Sequence, residues 1–124
     1  MKKAAKSTSR SYHVETSGPN AVLALLASHY HADVLEPLGE ALKDADARSR
    51  SGIVIVDLSA VVLLSSTALR ALRAAHIALE ARGGRIVAAG GGELVVSVLK
   101  FAPFIAHYPD LSEAAAAFRT GAAQ

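Results

Sequence analysis

Three consecutive hydroxyl residues follow an apolar run in the middle of the chain. Ser65, Ser66 and Thr67 stand between VVLL and ALRALRAA, in which leucines recur at helical spacing. Hydroxyl oxygens at a helix start accept hydrogen bonds from its free backbone N–H groups, so the cluster could serve only as a cap. A phosphate on the same residues would meet the positive end of the helix, so the cluster could equally be a kinase target. The residues alone leave both roles open.

The other residue clusters that could do chemistry lack the partners that such chemistry needs. His29 and His31 could face one way from a strand, but a metal site needs about three protein ligands and no third is indicated. His76 and His107 stand alone and are predicted to be helix-boundary or loop residues. Glycines 90–92 lack the patterns of a phosphate-binding loop, and the chain has neither a G-x-S-x-G sequence nor a cysteine. The sequence therefore predicts a protein without catalytic residues, metal or cofactor.

The hydroxyl cluster is predicted to lie between a buried strand and an amphipathic helix. GIVIVDLS is continuous and β-branched, which is typical of a strand covered on both faces. From Ser66 to Arg82, leucines and alanines form one apolar helix face. The outer face carries Arg70, Arg73 and Ile77. An apolar residue beside two cations and a hydroxyl loop could be the edge of a partner surface.

The remaining elements predict the fold class. SYHVET and AVLALLASH flank the turn Ser17–Asn20 and indicate an opening hairpin. Helical spacing starts near residue 33, RIVAAG is a second buried strand, and another helix runs to about Lys100. FIAHY is a short strand, and Asp110–Glu113 has the form of a capping box before a last helix. Strand–helix–strand units with short links imply parallel strands, so the fold class is α/β with helices against a mixed sheet.

Charge and hydropathy exclude several classes of partner. Four of the 13 basic residues lie in the first ten residues, which contain no acid, so the rest of the chain has a small excess of acidic residues. The pI of 9.2 therefore reflects a tail, and no clustered basic face indicates nucleic-acid binding. No apolar stretch reaches the roughly 20 residues that cross a bilayer. We predict a soluble, cytoplasmic protein that neither binds nucleic acid nor inserts into a membrane.

The 124 residues most simply form one domain with a short extension at each end. Residues 1–10 are rich in Lys and hydroxyl residues and show no apolar periodicity, which indicates a flexible basic arm. Residues 11–120 are predicted to form the folded domain. Residues 121–124 are predicted to be a C-terminal tail.

Several of these elements occur in an order and at a spacing that resembles the STAS domain family, the anti-sigma factor antagonists and their relatives. The matching elements are the strand VIVDLS, the apolar step VVLL, the hydroxyl motif SSTALRAL, the turn and strand ARGGRIV, and the end YPDLSEAAAAF. The likeness is clear over 50–118 and weaker over 11–49. It implies a single domain of four helices packed against a small mixed sheet, and a regulatory binding function in place of catalysis.

The resemblance also implies a site. In antagonist members the hydroxyl loop has the form Asp-Ser-Ser/Thr-Gly, and a partner that is both an anti-sigma factor and a serine kinase phosphorylates the first Ser. The unphosphorylated antagonist binds that partner, and phosphorylation releases it, which regulates transcription. Carried onto this chain, the phosphoacceptor is Ser66, ahead of Ser65 and Thr67. The expected partner-binding residues are Ser65, Ser66, Thr67, Arg70, Arg73, Ile77 and Ser28.

The chain also departs from the antagonist pattern. Ser65 stands where the family often has Asp, Ala68 where Gly is usual, and Ser28 about where a Gly-x-x-Asp signature has its acid. The alternative function is therefore a STAS accessory subunit without a switch, similar to those that bind the ATPase of an ABC-type lipid-transport system. A third hypothesis is a small-molecule-binding or catalytic α/β domain with a pocket near His29 and His31.

Overall fold

Strands and helices alternate along the part of the chain that the computed structural model describes: residues 12–26, 29–30 and 35–118, with the backbone alone at 29–30 and 35–38. The strands in these ranges are β1 (Tyr12–Ser17), β2 (Asn20–Leu25), β3 (His29–Tyr30), β4 (Ile53–Asp57), β5 (Leu63–Leu64), β6 (Arg85–Ala89) and β7 (Ala106–Tyr108). The helices there are α1 (Leu35–Arg48), α2 (Ser66–Glu80), α3 (Glu93–Leu99) and α4 (Leu111–Ala117). None of these helices has the length and apolar character that crossing a membrane requires.

A five-stranded mixed sheet in the order β1-β2-β4-β6-β7 forms the centre of the domain. β1 and β2 pair antiparallel, with Tyr12 opposite Leu25, and the other neighbouring strands pair parallel. β3 and β5 form a separate two-stranded parallel sheet. Because β2, β4 and β6 run the same way, all three end at one edge of the sheet, the carboxyl edge. They all begin at the opposite edge, the amino edge.

Helices cover both faces of the sheet, as the continuous apolar strand GIVIVDLS predicts. Val54 and Val56 of β4 belong to the larger core, together with buried residues of α1, α2 and α3. Ile55 belongs to a smaller core, which includes Ala114 and Phe118 from α4 and its C-terminal cap. Side chains alternate between the two faces of a strand, so one strand packs against helices on opposite sides.

The amino edge is tightly packed where β4 and β6 begin. A Cβ on Gly84 would overlap the carbonyl oxygen of Gly52. The backbone N–H of Arg85 donates a hydrogen bond to that same oxygen over 2.9 Å. Gly52 has φ 84°, a left-handed conformation that favours glycine. The two strands are therefore joined here by a backbone contact that leaves no room for a side chain.

Polar side chains at the amino edge bond to one another and to the backbone. Asn20 is fully buried, and its Nδ2 donates to the carbonyl oxygen of Phe118 over 2.6 Å. Its Oδ1 accepts from the Ser51 hydroxyl over 2.6 Å. Ser49 Oγ accepts from the N–H of Gly52 over 3.0 Å. These bonds hold the end of α4 and the β4 entry loop against the start of β2.

The predicted architecture is confirmed over the described ranges: an opening hairpin, a mixed sheet and four helices. The pairing of β3 with β5 is not predicted, because a two-residue strand is too short to show periodicity. The arm at 1–10 and the tail at 121–124 lie outside the described residues. Their predicted roles stay predictions.

Candidate functional site

The loop that joins β4 to α2 lies at the carboxyl edge and is shaped by its own side chains. Asp57, the last residue of β4, accepts two hydrogen bonds at Oδ1, from the backbone N–H and the hydroxyl of Ser59, over 3.0 and 2.6 Å. Such bonds from an Asp to the residue two positions on are typical of a turn. Gly90, just after β6, packs against this turn. It has φ 78°, and an added Cβ would lie 2.8 Å from Ser59 Oγ.

Ser65 is the N-cap of α2. Its backbone is extended, and its Oγ accepts a hydrogen bond from the N–H of Ala68 over 3.1 Å. Its carbonyl oxygen accepts from Leu69, the first helical bond. Of the three hydroxyl residues in the cluster, Ser65 is therefore the one that caps the helix.

Ser66 is the first residue of α2, and its side chain is exposed. Within the described residues its hydroxyl makes no hydrogen bond. The first turn of α2 contains no acidic residue. The N–H groups of Ala68 and Leu69 are both occupied by Ser65, so the free positive end of the helix is at Ser66 and Thr67.

The outer face of α2 continues this surface along the helix. Arg70, Arg73 and Ile77 are all exposed, Ile77 to 54%. In the part of the chain that the structure describes, neither arginine lies within ion-pair distance of a carboxylate. The helix face beside the exposed hydroxyl is therefore cationic with one apolar residue.

Four exposed apolar residues at the carboxyl edge were not predicted as part of the site. They follow three of the four parallel strands of the sheet: Leu26 after β2, Val62 and Leu63 after β4, and Leu94 after β6. Each is between 41% and 59% exposed. In VVLL the first and last residues are buried and the middle two are exposed. The apolar run alone does not predict which of its residues are exposed, because their exposure depends on the turn at Ser59 and on the packing of Leu64.

His76 and His107, which are predicted to be helix-boundary or loop residues, both lie inside regular elements. The prediction for His76 is wrong, because it lies inside α2, is only 5% exposed and accepts a hydrogen bond at Nδ1 from the N–H of Ile86 over 3.2 Å. His107 lies in β7, and its Nε2 is 2.8 Å from the carbonyl oxygen of Gly90. His76 therefore links α2 to β6, and His107 links β7 to the loop after β6.

Some predicted site residues lie outside the described structure. Ser28 is one of them, so its predicted contact with a partner stays a prediction. The side chain of His29 and the whole of His31 are outside as well. Among the described residues, no three His, Asp or Glu side chains lie close enough together to hold a metal ion.

Tyr12 lies at the carboxyl edge, opposite Leu25, and the pKa of its phenol is raised. Burial, reinforced by the negative charges of Asp44 and Glu40, raises the pKa of Tyr12 above its ordinary value. The folded state therefore holds this proton more tightly than the unfolded chain does. The contribution of this raised pKa to the free energy of unfolding is therefore lost as pH rises above about 10, the ordinary pKa of tyrosine.

No family model and no curated protein matches this sequence. Solved structures do match its fold. An anti-sigma factor antagonist from Mycobacterium paratuberculosis has a TM-score of 0.75 at 23% identity, over 87% of this chain and 92% of that one. A putative anti-sigma factor antagonist from Thermotoga maritima has a TM-score of 0.68 at 18% identity, with the same coverage. The anti-sigma factor antagonist SpoIIAA in its unphosphorylated form has a TM-score of 0.65 at 16% identity, over 90% and 98%.

These similarities establish the architecture. Five strands in a mixed sheet with four helices, over the described residues, form the STAS fold of anti-sigma factor antagonists. The predicted fold is therefore confirmed. At these identities the likeness concerns the fold, and the role of the carboxyl edge has to be argued from its own residues.

Proposed function

We propose that the protein is a binding regulator of the anti-sigma factor antagonist type. It binds an anti-sigma factor that is also a serine kinase, and phosphorylation of Ser66 by that partner releases the complex. The observation that carries this proposal is the exposed Ser66 hydroxyl at the first position of α2, beside a cap that Ser65 already supplies. The fold shared with three solved antagonists supports it.

The apolar residues of the carboxyl edge supply the binding surface. Leu26, Val62, Leu63 and Leu94 surround the ends of the parallel strands, and α3, which carries Leu94, packs against β5. A protein interface has an apolar centre and a polar rim. These four residues form the centre, and the hydroxyl loop with Arg70, Arg73 and Ile77 forms the rim along α2. In the same proposal, Ser65 and Thr67 contact the partner beside Ser66.

A phosphate on Ser66 is compatible with the fold. It adds roughly −1.5 to −2 charges at neutral pH, next to the positive end of a helix whose first turn contains no acid. Arg70 lies four residues further along α2, within reach of that charge. The modification therefore leaves the domain folded.

The same phosphate is unfavourable in the complex. An apolar interface would have to desolvate the new charge or pair it, and an unpaired buried charge is costly. Phosphorylation therefore weakens the complex while it leaves the free protein intact. This asymmetry is what a reversible binding switch requires.

The experiment uses the full chain, ATP and serine kinases of the anti-sigma factor type from the same organism. Mass spectrometry should find phosphate on Ser66, and the complex should dissociate as phosphate accumulates. Ser66→Ala should bind the kinase without being phosphorylated, whereas the matched variant Ser65→Ala should still accept phosphate. Phosphate on another residue, or a complex that survives phosphorylation of Ser66, would contradict the switch.

A second candidate is an accessory subunit that binds an ABC-type ATPase of lipid transport without a switch. The observation that favours it is the use of Ser65 as a neutral cap, where the antagonist pattern often has Asp. This candidate predicts stable co-purification with the ATPase and no change in affinity when Ser66 is replaced by Asp. Recovery of a sigma-regulating kinase from the same cells would exclude it.

A further inference from the structure

A cleft remains open between α1 and α2 on one face of the sheet. Its volume is about 530 Å³, within the roughly 300–1,000 Å³ of small-molecule sites in proteins. Val54 of β4 forms its floor. The space between the helices is left unfilled because many of the facing residues are small: Gly39 of α1, and Ala71, Ala74, Ala75 and Ala78 of α2.

The shape of the cleft suits a straight apolar chain. Its lining extends along α2 from Thr67 to Leu79, which is roughly 18 Å at the helical rise of 1.5 Å per residue. The lining contains no aromatic side chain. A flat ring would therefore find no stacking partner, whereas an extended alkyl chain can contact alanine methyl groups along the whole length.

Two cations line the cleft from opposite helices. Lys43 projects from α1 and Arg70 from α2, and among the described residues neither has a carboxylate within ion-pair distance. The acid in the lining, Asp46, is paired with Arg82. The free charge of the cleft is therefore positive, which complements a carboxylate.

We propose that the cleft binds a single-chain fatty acid, with its alkyl chain between the alanines of α2 and Gly39. Its carboxylate lies between Lys43 and Arg70. The basic arm at residues 1–10 is a poor occupant, because its four basic residues would meet the same two cations. The site goes beyond the proposed function and can be tested on the isolated protein, so the failure of one proposal leaves the other standing.

The first test measures binding of sodium decanoate and sodium dodecanoate to the full chain by calorimetry, below their micellar concentrations. Two more buried methylenes should tighten binding on the order of tenfold. Dodecyltrimethylammonium has a cationic head on an alkyl chain about one methylene longer, and it should still bind at least tenfold more weakly. The proposal is overturned if neither fatty acid binds, if chain length has no effect, or if both head groups bind equally.

Variants then locate the ligand. Ala78→Phe fills the cleft from an exposed position and should abolish binding, whereas Ala116→Phe on exposed α4 should not change it. Lys43→Gln combined with Arg70→Gln should weaken dodecanoate at least tenfold, and Lys100→Gln on α3 serves as the charge control. Equal losses in a variant and its control would overturn the proposed placement. Because the charge variants alter exposed residues, they keep the test decisive if Ala78→Phe does not fold.

A last experiment distinguishes a free fatty acid from the acyl chains of a membrane lipid. Vesicles of phosphatidylglycerol present diacyl lipids with an anionic head, and the protein should not float with them on a density gradient. Flotation with vesicles in the absence of dodecanoate binding would overturn the proposal in favour of a membrane contact. Dodecanoate binding without flotation supports a site for the free acid.

Discussion

At the amino edge of the sheet polar side chains bond to one another and to the backbone, whereas at the carboxyl edge the side chains of Ser66 and Arg70 face solvent. Asn20, Ser49 and Ser51 are engaged with each other and with the backbone over 2.6–3.4 Å. At the carboxyl edge, Ser66 and Arg70 are exposed and have no such partner within the described residues. The amino edge also buries its backbone contacts, whereas the carboxyl edge exposes four large apolar side chains.

Because of this difference, we expect the amino edge to contribute mainly to the stability of the domain and the carboxyl edge mainly to partner binding. In open α/β sheets, ligands bind outside the carboxyl ends of the strands, and the proposed partner surface lies at that edge. Substitutions at the amino edge should therefore change the free energy of unfolding and leave partner affinity alone. Substitutions at the carboxyl edge should change partner affinity and alter the free energy of unfolding by no more than about 1 kcal/mol.

The largest effect is expected for Gly84→Ala at the amino edge. The new Cβ would overlap the carbonyl oxygen of Gly52, and no rotamer change can relieve a contact between two backbones. We expect a loss of about 3 kcal/mol or more in the free energy of unfolding, measured by urea denaturation.

The matched control is Gly39→Ala in α1, where an added Cβ meets nothing within 4 Å. This change should stabilise the domain by up to about 1 kcal/mol, since alanine favours a helix interior over glycine. If Gly84→Ala lowered the free energy of unfolding no more than Gly39→Ala, the close packing described at the amino edge would be contradicted.

Asn20→Ala should have the next largest effect. It removes the donor to the Phe118 carbonyl and the acceptor of the Ser51 hydroxyl in a fully buried position. Leaving buried polar groups unpaired costs about 2 kcal/mol, which corresponds to a melting temperature lower by roughly 8 °C. Thermal unfolding followed by circular dichroism measures the shift, and an unchanged melting temperature would contradict the role given to these bonds.

At the carboxyl edge, Ser65→Ala should cost about 1 kcal/mol, because it removes the cap of α2. Ser66→Ala should cost close to nothing, since its hydroxyl makes no hydrogen bond within the described residues. Chemical denaturation of the two variants side by side distinguishes the cap from the proposed phosphoacceptor. Equal losses would mean that both hydroxyls support the helix.

A small gain in stability is expected for Ser66→Asp. A negative charge at the first position of a helix stabilises it by roughly 0.3–1 kcal/mol. The same charge should weaken the complex with the proposed kinase partner, as measured by calorimetry with purified proteins. A variant that is destabilised, or that binds as tightly as the parent protein, would contradict the separation of stability from binding at this edge.

The sequence predicts the buried parts of this molecule better than its surface. β4 is predictable because a β-branched run covered on both faces has few alternatives, and α2 because its leucines recur at helical spacing. His76 is predicted wrongly, because its environment depends on a backbone N–H of β6, ten residues further along the chain.

Which residues are exposed at the surface depends on tertiary contacts, and the periodicity of the sequence does not reveal these contacts. Val62 and Leu63 are exposed only because the chain turns at Ser59 before it reaches them. The hydroxyl cluster itself is predictable from the sequence, but the choice of cap is not. A shift of one residue in the start of α2 would exchange the roles of Ser65 and Ser66.

The cap on Ser65 and the exposed hydroxyl on Ser66 also bear on how such proteins diverge. The helix start and the proposed phosphoacceptor are encoded by neighbouring but separate codons. A lineage without the proposed kinase could therefore replace residue 66 by neutral drift, since neither the cap nor the core depends on that hydroxyl. A switched regulator and an unswitched accessory subunit would then be one codon apart on the same stable fold.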